Sequence, residues 1–140
     1  MYLFNRSISV NVCLVGEKTF KVNGVFLDSL HELCLTLEVD LKSYTITSAE
    51  GELCRAPYTD CGHVRERIKE LVGVNLHSNV RKQVQASVGL EHGCTHLTDL
   101  TLECVKGILQ AKFQLMHHSE PAERTIQLEQ HLKGTCLHYK

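Results

Sequence analysis

Within five positions, His92-Gly93-Cys94-Thr95-His96 sets one thiol between two imidazoles. Thiolate and neutral imidazole are the usual ligands of zinc, and thiolates also hold iron–sulfur clusters. Cys61-Gly62-His63 repeats the Cys-x-His doublet. Together the doublets give a candidate metal set of Cys61, Cys94 and His96, with His31 or His63 completing the shell. The same residues admit a second chemistry. Cys94 is then a nucleophile or redox thiol, served by His96, His92 or the distant His31 as base, with Asp99 or Glu91 as orienting carboxylate. The short separation of Cys94 and His96 works against the in-line geometry of a catalytic dyad. The sequence contains neither a dinucleotide-binding glycine fingerprint nor a phosphate loop.

These residues have to be held by something. From Leu97 the apolar positions recur at Leu100, Cys104, Ile108, Ala111 and Leu115, the stripe of an amphipathic helix, with Gly93 as a flexible joint before it. Cys94 then sits at a helix N-terminus, where free N–H groups and the positive end of the dipole favour the thiolate. Cys61 stands at another helix start, capped by Thr59 or Asp60, with Val64, Ile68, Leu71 and Val72 as its buried stripe and Gly73 as its stop. A shorter helix between them takes Ser78 as N-cap and buries Val80, Val84 and Val88. His117-His118 closes the long helix, and Ser119 caps a fourth that has Pro121 in its first turn and Gly134 after it.

Before Pro57 the period is two rather than nearly four. Ile8, Val10, Val12 and Leu14 alternate with polar residues, leaving Cys13 outward, and Leu33, Leu35, Leu37 and Val39 alternate cleanly with Cys34, Thr36, Glu38 and Asp40. Asn23-Gly24 carries hairpin chemistry between two short strands. A further strand runs from Tyr44 to about Ser48 and ends at Ala49-Glu50-Gly51, and residues 54–57 are irregular. Strands segregated before helices predict an α+β fold, an N-terminal antiparallel β-meander packed against about four C-terminal helices. The chain reads as a single domain, residues 1–140: mainly strands over 1–56, mainly helices over 57–134, and a frayed tail over 135–140.

Composition narrows the function classes. A chain of 140 residues with a net charge of −1 gives no electrostatic footprint for nucleic acid or an anionic membrane, although nine histidines would make it cationic below about pH 6. No apolar run reaches the length of a membrane span. The opening Met1-Tyr2-Leu3-Phe4-Asn5-Arg6 lacks a basic start followed by an apolar run, which predicts a cytoplasmic protein with reduced thiols. Four or five of the seven cysteines are then expected to be plain core residues. Cys34, Cys104 and Cys136 are explained by packing or tolerance, and His77, His131 and His138 are expected to be exposed.

From His31 to Asp99 the chain resembles an uncharacterised bacterial family of unknown function. The matching residues are His31-Glu32 before an alternating strand, Pro57-Tyr58-Thr59-Asp60-Cys61, and Gly93-Cys94-Thr95-His96-Leu97-Thr98-Asp99-Leu100. The resemblance marks candidate positions and implies no reaction. A fainter one is to the NifU-like iron–sulfur scaffold proteins. It rests on Cys61-Gly62, on Gly93-Cys94 at a helix start, and on Glu103 with Val105-Lys106-Gly107, and it implies cluster binding and a protein partner. Where the scaffold has strands between its two cysteines, this chain's pattern is helical.

Three functional expectations follow. The first is a small protein that binds zinc or an iron–sulfur cluster through Cys61 and Cys94 with nearby histidines. The second is a thiol enzyme built on Cys94 and His96. The third is a non-catalytic interaction or ligand-binding domain.

Overall fold

Apolar alternation builds four antiparallel strands in the order β1-β2-β3-β4: β1 (Arg6–Val15), β2 (Thr19–Asp28), β3 (Glu32–Asp40) and β4 (Thr45–Arg55). Helices follow in the computed structural model, which describes residues 1–116 and 120–140. They are α1 (Val64–Arg67), flanked by 3-10 turns at Thr59–His63 and Ile68–Leu71, then α2 (Val80–Val88), a 3-10 turn at Leu90–His92, α3 (Thr95–Met116) and α4 (Pro121–Leu132). The architecture is α+β. The chain divides into two compact units, Met1–Ile108 and Leu109–Lys140, with the boundary inside α3.

β3 follows its sequence pattern, with Leu33, Leu35, Leu37 and Val39 all buried. β2 does not break at Asn23-Gly24. It is one strand of ten residues, and Gly24 pairs with Val10 on one side and Leu35 on the other. The glycine serves the core instead of a turn. A Cβ there would lie 2.5 Å from Cys104 Sγ and 3.0 Å from Leu100 Cδ1, so its absence lets α3 rest against the sheet. Gly107 does the same from the helix side, where a Cβ would come within 2.8 Å of Val10 Cγ1.

β4 likewise passes through Ala49-Glu50-Gly51 and takes in Cys54 and Arg55, longer than its local pattern indicates. Two bulges explain the difference. Thr47 is the extra residue between the pairs Glu38–Ser48 and Val39–Ile46, so the buried residues Ile46 and Ala49 fall three positions apart, out of the two-residue phase. Cys54 is the extra residue at the other end, between Leu33–Leu53 and Glu32–Arg55.

Val64, Ile68 and Leu71 bury as their spacing predicts, whereas Val72 stays exposed. Beyond Gly73, the amides and carbonyls of Gly73, Val74 and Leu76 bond to Tyr44 and Ile46, covering the first part of the β4 edge. No side chain caps the Thr59–His63 turn, and α2 starts after Asn79, in the left-handed region at φ 51°, and not after Ser78. The Gln83 side chain ties the loop before α2 by donating to the carbonyls of Ser78 and Asn75 and accepting from Asn75 N–H.

Of the seven cysteines only Cys104 is buried, which corrects the expectation of four or five in the core. In the second unit, the Phe113 and His131 rings meet edge to face at 6.2 Å. After α4 the chain makes turns in which Tyr139 N–H donates to Cys136 O and Gly134 N–H donates to Tyr139 O. His117, His118 and Ser119 lie outside the described residues. No helix among the described residues is long and apolar enough to cross a membrane.

The close approach at Gly24 gives a test. Gly24→Ala is expected to cost about 1–3 kcal/mol of stability in urea denaturation, as overpacking does. Combining it with Cys104→Ala should lose less than the sum of the two single losses, by at least about 0.5 kcal/mol. Strict additivity would mean that the contact with Cys104 is not what makes the glycine necessary.

Candidate metal centre

The buried face of β2 runs Phe20, Val22, Gly24, Phe26, and the same two-residue phase puts Asp28 next. A carboxylate at the end of an apolar face has to be satisfied, and the turn into β3 does this. Asp28 Oδ1 accepts the N–H of Leu30 at 2.8 Å and of His31 at 2.6 Å, and Asp28 N–H donates to His31 O at 2.9 Å. Arg55 holds the outside of the turn, donating to the carbonyls of Ser29 and Asp28 at 2.8 and 3.0 Å. His31 Nδ1 lies 3.0 and 3.2 Å from the two carboxylate oxygens. Facing a carboxylate, Nδ1 is the nitrogen that donates, and in the neutral ring Nε2 then carries the lone pair.

Asp28 is 5% exposed. Burial pushes its pKa up, but the two amide donors and the His31 imidazole outweigh that and bring it down to about 2.

His96, in the first turn of α3, completes the cluster. Its ring stacks on His31 with centroids 3.8 Å apart, meets Phe26 edge to face at 5.1 Å, and brings Nε2 to 3.8 Å from Asp28 Oδ2. Burial and the neighbouring His31 lower its pKa against the pull of Asp28, which favours the neutral ring, in which one nitrogen carries a free lone pair. One donor atom from each of Asp28, His31 and His96 lies within 4.8 Å of the other two. Arg6 closes the flank, paired with Asp99 at 3.2 Å and lying over the Phe26 ring at 5.0 Å.

Cys94 sits beside this cluster, its Sγ 3.8 Å from His96 Nδ1. Its N–H donates to Val88 O at 2.8 Å, and its carbonyl accepts both the N–H and the hydroxyl of Thr98. Gly93 is no flexible joint. Its backbone is extended, at φ −129° and ψ −154°, and a Cβ there would collide with the carbonyls of Val88 and Gly89. The glycine lets α2 and the start of α3 meet, and this fixes Cys94 and His96 in place.

The five residues singled out from sequence, His31, Cys61, His63, Cys94 and His96, all line one cleft of about 640 Å³. Cys61 and His63 reach it from the Thr59–His63 turn. The tight donor group, however, is Asp28 with His31 and His96, and Cys61, His63 and Cys94 lie outside it. The two candidate orienting carboxylates are engaged elsewhere. Asp99 pairs with Arg6, and Glu91 pairs with His92 in an exposed contact at 3.2 Å. Asp28 was missed because a break at Asn23-Gly24 hides its phase. Read as one strand, β2 places it on the core face.

The acid sensitivity of the apo protein tests the Asp28 environment. A folded pKa of about 2 against the ordinary value of 3.8 means its stabilisation is complete above about pH 4 and is lost as the pH falls toward 2. Asp40, lowered by the N–H and hydroxyl of Ser43 against the opposing effect of burial, adds to the same limb. Denaturation between pH 4 and 2 should therefore show a shallower loss of stability for Asp28→Asn than for the unaltered protein. Equal slopes would contradict the assigned environment.

No curated protein and no solved structure matches the chain. The likeness to NifU-like scaffolds finds no support in the comparisons, and the segment between Cys61 and Cys94 is helical. The motifs behind the other resemblance meet in space: His31, Tyr58, Cys61, Cys94 and His96 all face the one cleft. A family model described as "Protein of unknown function (DUF2889)" matches residues 4–110, and the chain belongs to that family.

Proposed function

We propose that this protein binds one divalent transition-metal ion, zinc foremost, through Asp28, His31 and His96. The observation that carries the reading is the convergence of a nearly fully buried, ionised carboxylate and two imidazoles, both of which line a cleft. Donors around a tetrahedral zinc stand about 3.4 Å apart, a spacing that this group, within 4.8 Å, reaches by small side-chain movement. Two nitrogens and an oxygen suit a single ion better than an iron–sulfur cluster, which thiolates hold. Three protein ligands beside a cleft leave a position for water or a substrate atom. There the ion would act as a Lewis acid and generate hydroxide near neutral pH. Cys94, whose Sγ lies 3.8 Å from His96 Nδ1 and outside the donor group, would act next to the bound molecule and not as a ligand.

The contact between Cys94 Sγ and His96 Nδ1 also favours a second reading, a thiol enzyme in which His96 takes the proton of Cys94. In that reading Asp28 and His31 only position His96 through the ring stack.

Metal analysis of untagged, anaerobically purified protein separates the two. The metal reading expects close to one ion per chain, with His31→Ala and His96→Ala each weakening zinc binding by roughly 100-fold or more in calorimetric titration. Cys61→Ser and His63→Ala should leave affinity within a few-fold. Circular dichroism checks that each variant folds. Metal-free protein that does not take up zinc, or affinity lost on Cys61→Ser and kept on His96→Ala, would refute the reading.

A further inference from the structure

The outward face of the sheet carries a second pair of sulfurs. The Cys34 and Cys54 Sγ atoms lie 3.9 Å apart. Cys34 lies on β3 opposite Glu52, and Cys54 is the bulge residue two positions further along β4. A disulfide needs the sulfurs about 2.05 Å apart, so closure asks for a little under 2 Å of movement. Rotation of two side chains on neighbouring strands supplies displacement of that size. The bulge helps, because Cys54 has no partner residue in the β3–β4 register to constrain its backbone. Solvent reaches both residues: Cys54 is exposed, and half-buried Cys34 lines a shallow cleft of about 550 Å³ with Glu52, Arg65 and Lys69.

We propose that Cys34 and Cys54 form a reversible cross-strand disulfide, made in reaction with hydrogen peroxide. The proposal stands whether or not the cleft at Asp28 holds a metal. In the first step the Cys54 thiolate attacks one peroxide oxygen. A sulfur–oxygen bond forms, the oxygen–oxygen bond breaks, and the departing hydroxide takes a proton and leaves as water. Cys34 sulfur then attacks the Cys54 sulfenic acid, loses its own proton and expels the second oxygen as water. Two thiols lose two electrons and the peroxide gains them.

The environment sets this order. Burial, the neighbouring Cys54 and the carboxylates of Glu32 and Glu52 push the Cys34 thiol up, so it stays protonated while the exposed partner meets the oxidant. A small dithiol reverses the bridge by exchange.

The experiment treats the reduced full chain with limiting hydrogen peroxide, blocks the remaining thiols with an alkylating reagent and maps peptides by mass spectrometry. The expected result is loss of two of the seven thiols, a fall of about 2 Da before alkylation, and a peptide joining Cys34 to Cys54 that dithiothreitol releases. Cys34→Ser should stop the reaction at a sulfenic acid on Cys54 that dimedone traps, and Cys54→Ser should yield no bridge. Seven alkylated thiols after peroxide, or a bridge joining other cysteines in preference, would overturn the proposal.

Discussion

A carboxylate that leaves water must find donors, and the first unit of this protein depends on how Asp28 finds them. Asp28 occupies the last inward position of a strand whose other inward residues are Phe20, Val22, Gly24 and Phe26. An unpaired charge there would cost several kcal/mol. Two amides of the following turn and the His31 imidazole remove that cost, and each fixes something in doing so. The amides set the β2–β3 turn. The imidazole fixes the tautomer and ring plane of His31, against which His96 then stacks. The satisfaction of one buried charge thus carries order from the sheet into the first turn of α3.

Close approach supplies the complementary constraint. α3 can bring His96 over Phe26 because Gly24 and Gly107 remove Cβ atoms from the helix–sheet contact, and because Gly93 lets the Cys94 amide reach Val88 O. None of these three glycines has a positive φ. They are required by what lies against them, often far away in sequence, so local turn chemistry misjudges them.

That distinction separates what is legible in the sequence from what is not. β3 was readable because its two faces are uniform from Leu33 to Val39 and no bulge interrupts their phase. β4 was cut short because Thr47 shifts the phase of its core residues, and a bulge leaves no mark in composition. β2 was split because Asn23-Gly24 has the chemistry of a turn, whereas the residues that decide its conformation, Leu100 and Cys104, stand on a helix about eighty positions later. The histidines and cysteines of the cleft were found by type and spacing alone. Asp28, whose type is common in turns, could be found only through the strand phase that the misplaced break concealed. The cysteines were misjudged in the opposite sense, since a thiol is assigned to the core by default and only Cys104 is there.

Arg55 links two features of this fold, the Asp28 turn and the bulge at Cys54. Its guanidinium grips the carbonyls of Asp28 and Ser29 from outside, while its backbone neighbour is Cys54, the unpaired residue of the bulge. Had β4 kept its register, its outward residues would have continued in phase and position 55 would have faced the other way. The bulge therefore does two things at once: it re-aims Arg55 onto the turn that presents His31, and it leaves Cys54 beside Cys34. A cross-strand bond at Cys54 would act on the backbone one residue from the anchor of the Asp28 turn.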